Sequence, residues 1–158
     1  MPGQDQRRKG VRAKLNPIKS EFRGRTVMLI DDSIVRGTTS TELVAMAREA
    51  GAARVYFVSA SPEVRYPNVY GIAIATSTEL IAHGRTPDQV AEKLGADWVL
   101  FQDLEDLEDC VRELNPKLTA FENCVFSGEY VTADAPACKG DCSPRASEKA
   151  ASPQVSPP

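Results

Sequence analysis

Short runs of apolar residues alternate along the chain with segments of helical periodicity, and this alternation predicts the order of the secondary structure. The continuous apolar run 26–30 predicts a strand buried on both faces, as in a parallel sheet. A second buried strand is predicted at 54–59, a short strand at 70–75 and a further strand at 98–101.

Helices are predicted between these runs, where apolar residues recur at helical spacing. The pattern indicates helices over 40–50, 86–94 and 104–114, and a helical turn over 78–82. The expected end signals are N-terminal caps at Thr39 with Glu42, at Thr86 with Gln89 and at Asp103, and C-terminal glycines Gly51 and Gly95. Because strands alternate with helices, we predict the α/β class, a parallel sheet with flanking helices joined by right-handed crossovers.

The overall composition is typical of a soluble globular protein, with 42% hydrophobic and 26% charged residues. A net charge of -3 provides no bulk attraction to nucleic acid or to an anionic membrane. No apolar run approaches the roughly 20 residues that span a bilayer, and residues 1–14 lack the apolar centre of a secretory signal. We therefore expect a cytoplasmic protein with no nucleic-acid or membrane partner.

Three parts of the chain differ in character. Residues 1–20 are rich in lysine and arginine, contain glycine and have no apolar periodicity, so they predict a basic flexible loop. Residues 21–132 carry the predicted strands and helices and form the folded part. Residues 133–158 are rich in alanine, serine and proline and are predicted to be disordered.

The segment 27–40 carries the strongest chemical signal. A predicted buried strand ends in the acids Asp31 and Asp32, and a loop with Gly37 and three hydroxyl residues, Thr38 to Ser40, leads into a helix. Ligands of open α/β sheets bind at the carboxyl ends of strands, and amides of a glycine-containing turn at a helix N-terminus form an anion site. Since the acids repel phosphate, they suit adjacent hydroxyls or a cation. A ribose 5′-phosphate meets both demands; the plain alternative is a connecting loop in which the two acids are caps.

The sequence 31–40, DDSIVRGTTS, resembles the phosphoribosylpyrophosphate (PRPP) motif of the type I phosphoribosyltransferases. Its SIVRGTT form resembles the amidophosphoribosyltransferases in particular, as do the segments 6–15, 60–71, 79–83 and 121–132. The resemblance covers about residues 2–132. It implies that 21–132 form the C-terminal part of a type I phosphoribosyltransferase domain, a partial version of that fold.

The resemblance also implies roles for individual residues. Asp31 and Asp32 correspond to the acids that hold the ribose hydroxyls and the magnesium–PRPP unit, so Mg²⁺ is the implied cofactor and these acids its ligands. The 5′-phosphate loop corresponds to Ser33, Arg36, Gly37, Thr38, Thr39 and Ser40. Residues 1–15 correspond to part of a flexible loop that closes over PRPP, in which Lys14 is the basic residue that reaches the active site as a catalytic group.

The reaction implied by the resemblance joins PRPP and ammonia from glutamine to give 5-phosphoribosylamine and pyrophosphate, the first step of purine synthesis. The resemblance further implies a homo-oligomer inhibited by purine nucleotides. An alternative is a regulatory module that binds PRPP or nucleotides without turnover.

Two features depart from the family pattern. The chain begins Met1-Pro2 and its first cysteine is Cys110, so the N-terminal cysteine nucleophile of the glutaminase half is not matched. We expect the glutaminase half and the first strands of the domain to be supplied by the same gene or by a separate chain, and this chain alone to lack turnover. After residue 132 the sequence is also expected to depart from the family.

Overall fold

The computed structural model describes residues 15–68, 70 and 76–132, which form an α/β fold as predicted. In chain order the elements are α1 (Lys19–Phe22), β1 (Thr26–Asp31), α2 (Thr38–Glu49), β2 (Arg54–Ser59), a 3-10 turn (Ser77–Glu79), α3 (Pro87–Leu94), β3 (Trp98–Phe101), α4 (Leu104–Leu114) and α5 (Cys124–Ser127). The strand predicted at 70–75 lies almost entirely outside the described residues. No helix in the described part of the chain is long and apolar enough to cross a membrane.

The three strands form one parallel sheet in the order β1-β2-β3. The predicted parallel pairing is confirmed: Thr26 pairs with Arg54, and Tyr56 with Trp98. Helix α2 packs on β2 and helix α3 on β3, and the two helices contact each other, which places both on one face of the sheet. The core lies beneath them, where Val55 and Phe57 of the central strand are fully buried.

The opposite face of the sheet is largely uncovered by the described residues. Two rows of apolar side chains cross it in register, one of Met28, Tyr56 and Trp98 and one of Ile30, Val58 and Leu100. Met28 is 56% exposed and Ile30 70% exposed. The prediction that the strand at 26–30 is buried on both faces is therefore wrong within the described chain, because its alternate residues have no layer packed on them. Helix α4, although strongly amphipathic in sequence, likewise has no buried residue.

The ends of α3 and α4 follow the sequence signals. Thr86 accepts a hydrogen bond from the Gln89 amide (3.3 Å), and Gln89 Oε1 accepts from the Thr86 amide (3.0 Å), which completes the predicted capping box. Asp103 caps α4 by accepting from the amides of Glu105 (2.8 Å) and Asp106 (3.2 Å).

The predicted start of α2 is wrong. The helix begins at Thr38, its N-cap is Gly37 in the left-handed conformation (φ 75°), and no side chain caps it. Thr39 therefore lies inside the first turn instead of preceding it. The chain reverses at Gly37 because glycine tolerates positive φ, so the loop has no need of a hydroxyl cap.

A smaller apolar cluster lies beside the main core. Val64 and Leu80 are buried in it, and Val35, Val125 and Phe126 pack against them. The cluster joins the loop after β1, the segments on either side of residue 70 and the helix α5. The loop after β1 is therefore supported by residues from near the far end of the described chain.

Polar contacts anchor α5 on the segment that follows β2. The amides of Arg65 and Tyr66 donate to the carbonyl of Val125 (2.8 and 3.0 Å), and Asn68 Nδ2 donates to Sγ of Cys124 (3.1 Å). Cys124 is 2% exposed. Burial, with a hydrogen bond to Glu122 as a smaller cause, raises the pKa of the Cys124 thiol. This cysteine is therefore a neutral packing group and a poor nucleophile.

Candidate functional site

The candidate site lies where β1 ends and α2 begins. β1 carries the chain to Asp31 at the carboxyl edge of the sheet, and Asp32 follows directly. The loop then turns at Gly37 into α2, whose first residue is Thr38. Acids from a strand end and amides from a helix start therefore border the same space, as ligand sites of open α/β sheets do.

A cavity of about 330 Å³ occupies this space. All the binding candidates predicted in the loop line the cavity: Asp31, Asp32, Ser33, Arg36, Gly37, Thr38, Thr39 and Ser40. Val35, which was not a predicted binding residue, also lines it. Lys14, the predicted catalytic residue, lies outside the described residues.

The acid pair is held by local hydrogen bonds. The amide of Asp32 donates to Oδ1 of Asp31 (3.0 Å), and the hydroxyl of Ser33 donates to Oδ1 of Asp32 (3.0 Å). These bonds use one oxygen of each carboxylate. Both acids line the cavity, where their negative charge would suit hydroxyl groups or a cation.

The start of α2 provides the complementary charge. The first hydrogen bond of the helix runs from the Thr41 amide to the Gly37 carbonyl (2.8 Å), so the amides of Thr38, Thr39 and Ser40 have no acceptor within their own helix. These amides and the helix dipole give the N-terminus a partial positive charge of about half a unit. The cavity thus joins an anion-binding end to a carboxylate pair.

Gly37 also has a packing role, which the sequence did not predict. A Cβ atom at this position would lie 2.4 Å from Cδ1 of Ile81 and 3.2 Å from Cδ2 of Leu94. Glycine is required here because φ is positive and because the loop packs directly on the core.

Two residues that sequence reasoning did not assign also touch the loop. The guanidinium Nε of Arg36 donates to Oε2 of Glu79 at 2.7 Å, and the amide of Ile81 donates to the carbonyl of Val35 at 2.9 Å. The only sequence signal for Glu79 and Ile81 was their place in the family-like segment 79–83, which predicted no contact. Within the described ranges, no group of three or more histidine, cysteine or acidic side chains could hold a metal ion.

Comparison with curated proteins finds close relatives over most of the chain. It is 59% identical to the amidophosphoribosyltransferase of Escherichia coli (strain K12) over 134 residues, 85% of this chain and 26% of that protein. It is 54% identical to that of Haemophilus influenzae over 151 residues, 96% of this chain and 28% of the relative. The second alignment extends beyond residue 132. The Saccharomyces cerevisiae enzyme is 53% identical over 132 residues, 84% of this chain and 26% of the enzyme.

Solved structures give the same result, although no family model matches the chain. The glutamine PRPP amidotransferase from B. subtilis complexed with ADP and GMP superposes with a TM-score of 0.66 at 35% identity, covering 87% of this chain and 31% of that one. A structure described as the allosteric regulatory enzyme of purine biosynthesis gives a TM-score of 0.65 at 35% identity, covering 87% of this chain and 30% of that one.

The chain spans about a quarter of the length of the curated relatives it matches. Over the span compared, the chain is more than 50% identical to these curated relatives and shares its α/β fold with the solved structures. Over most of its length the chain is therefore homologous to one part of the amidophosphoribosyltransferases.

Proposed function

We propose that this chain carries the ribose-phosphate part of an amidophosphoribosyltransferase active site, which binds PRPP together with Mg²⁺ for transfer to ammonia derived from glutamine. The observation that supports this best is the cavity in which the acid pair Asp31–Asp32 faces the N-terminus of α2. The N-terminus of α2 suits the phosphate group of a ribose 5-phosphate, and the acid pair suits its ribose hydroxyls.

In this proposal the 5′-phosphate binds at the start of α2. The amides of Thr38, Thr39 and Ser40 donate to its oxygens, and the helix dipole favours its charge. Hydroxyl groups of the same residues and the guanidinium of Arg36 add further donors. The hydroxyl of Ser33 already donates to Asp32, so its role is to orient that acid.

The acid pair binds the ribose side. Carboxylate oxygens of Asp31 and Asp32 accept hydrogen bonds from the ribose hydroxyls, at a distance from the phosphate that limits repulsion. The pair also fits Mg²⁺, which is typically held by one or two carboxylates together with substrate phosphates and not by an all-protein cage. When bound, the ion neutralises negative charge on the pyrophosphate that leaves.

The residues of this chain contribute to the transfer by binding and electrostatics. Displacement at the anomeric carbon develops positive charge on the ribose, and the carboxylates of Asp31 and Asp32 favour it. No side chain acts as a nucleophile. Lys14, as part of a basic loop that closes over PRPP, is proposed to neutralise the leaving group and to help exclude water.

The remaining parts of the reaction require polypeptide not contained in this chain. The glutaminase half supplies ammonia, in the same gene product or as a separate chain, and the complete enzyme is proposed to be a homo-oligomer. A cytoplasmic location stays a prediction from the sequence.

Calorimetric titration with PRPP and Mg²⁺ tests the proposal. The 158-residue chain is compared with Asp31→Asn/Asp32→Asn and with the matched control Glu105→Gln/Asp106→Asn, an adjacent exposed acid pair at the start of α4. Loss of charged hydrogen bonds to the ribose lowers affinity tenfold or more in the first variant. The control binds like the unmodified chain.

Two outcomes decide between the candidate functions. Saturable binding that depends on the acid pair supports the ribose-phosphate site. Formation of pyrophosphate from PRPP and ammonia by a polypeptide that also contains the missing parts supports the enzyme, and the same binding without pyrophosphate in that longer polypeptide supports a binding module without turnover. If the folded chain does not bind PRPP, or if both double variants bind equally, the proposed ribose-phosphate site is wrong.

A further inference from the structure

The segment 76–81 lies directly beneath the loop that borders the cavity. Its 3-10 turn ends at Glu79, and the Ile81 amide donates to the carbonyl of Val35 (2.9 Å). Cδ1 of Ile81 fills the space where a side chain of Gly37 would lie. Three consecutive loop residues, 35 to 37, therefore contact this one segment.

The third contact is an ion pair between Arg36 and Glu79. Nε of Arg36 lies 2.7 Å from Oε2 of Glu79, and the side chains are 27% and 42% exposed. Oε1 of the same carboxylate lies 3.5 Å from the hydroxyl of Thr76, a contact that helps to orient it. Arg36 is the only cationic residue among the described residues that line the cavity, so Glu79 orients the one guanidinium available there.

The negative charge of Glu79 bears on the role of this ion pair. A carboxylate beside an anion site repels phosphate, and on charge alone its removal would strengthen binding. Glu79 strengthens phosphate binding only if its effect on the geometry of Arg36 outweighs that repulsion. A guanidinium fixed by one partner loses less conformational freedom when it bonds a second one.

We infer that Glu79 is a positioning residue: its carboxylate holds Arg36, and with Ile81 the whole turn 35–37, in the conformation that receives the 5′-phosphate. The inference rests on the proposed function, whose phosphate site it deepens. Glu79 itself touches no substrate and acts through Arg36.

The test measures ribose 5-phosphate affinity by calorimetry for the full chain and for Glu79→Ala, Glu79→Gln and Arg36→Gln. Glu79→Ala weakens binding about five- to tenfold, opposite to the pure charge effect. Glu79→Gln keeps an acceptor for Nε of Arg36 and weakens ribose 5-phosphate binding less than Glu79→Ala does. In an Arg36→Gln background, Glu79→Ala has no further effect, because the partner through which it acts is gone. Glu21 lies on α1 and forms a separate ion pair with Arg25; Glu21→Ala leaves affinity unchanged.

A ligand-free measurement separates this inference from the proposed function. In ¹⁵N NMR spectra, Glu79→Ala shifts or broadens the Nε–H signal of Arg36 and the amides of residues 35–39, whereas Glu21→Ala does not. If the unmodified chain fails to bind ribose 5-phosphate while these signals change, the proposed function fails and only the loop contact stands. Unchanged loop signals, tighter binding in Glu79→Ala, or an undiminished effect of Glu79→Ala without Arg36 would each overturn the positioning role.

Discussion

Replacing Gly37 by alanine tests how the loop at the cavity is built. The backbone at this position has φ 75°, a conformation that costs a non-glycine residue about 1–2 kcal/mol. The new Cβ would also lie 2.4 Å from Cδ1 of the buried Ile81, and overpacking of this kind costs about 1–3 kcal/mol. We therefore expect Gly37→Ala to reduce the free energy of unfolding by about 2–5 kcal/mol.

Urea denaturation followed by tryptophan fluorescence measures this loss. Trp98, the single tryptophan of the chain, packs edge-to-face on Tyr56 of the neighbouring strand, with 5.8 Å between the ring centroids, and so reports on unfolding of the sheet. Gly24→Ala is the matched control, because Gly24 has φ 71° and a Cβ added there would meet no atom within 4 Å. That control loses only the backbone part, about 1–2 kcal/mol.

A double variant separates the steric part from the backbone part. Ile81→Val removes the atom that the new methyl group would strike, and alone it costs about 0.5–1.5 kcal/mol. In Gly37→Ala/Ile81→Val the total loss is smaller than the sum of the single losses by about 1 kcal/mol. Equal losses in Gly37→Ala and Gly24→Ala, or strict additivity in the double variant, would refute the direct packing of the loop on Ile81.

Three further predictions concern parts of the fold outside the cavity. Asp97→Asn destabilises the chain by about 1 kcal/mol at pH 7. The pKa of Asp97 is lowered by a hydrogen bond from a backbone amide and, to a smaller extent, by Arg48. The contribution of Asp97 to the free energy of unfolding is therefore present above about pH 4 and disappears in urea curves recorded at lower pH. Peptide mass mapping after brief alkylation finds Cys110 modified and Cys124 protected, since only the first is exposed; equal labelling in the native state would contradict the buried thiol. Asp103→Ala removes the cap of α4 and lowers stability in urea by about 1 kcal/mol, and a neutral result would show that this cap is unimportant.

The elements that the sequence predicted well depend on local chemistry. The runs at 54–59 and 98–101 became strands over those same residues. The Thr86 box formed because a cap and its partner lie three residues apart. The acids and hydroxyls of 31–40 border one cavity because a strand end and the following helix start are necessarily neighbours.

The features that it missed depend on residues distant in the chain. The start of α2 was misplaced because Gly37 is fixed by packing on Ile81 and Leu94, which no local pattern reveals. The pairing of Arg36 with Glu79 joins residues 43 positions apart. Hydropathy marked Ile30 as an interior residue but carried no information on whether the described chain covers that face.

The small cluster beneath the cavity loop has a consequence for the order of folding. Val35 packs against Val64 and Leu80, and so do Val125 and Phe126, which the ribosome adds roughly ninety residues after Val35. Contacts so distant in sequence form late, because the intervening loop must first be closed. During synthesis β1, α2 and β2 can therefore assemble while the cavity loop still lacks part of its support. The geometry of the cavity loop is completed only when α5 has emerged and docked, so this loop is expected to mature last.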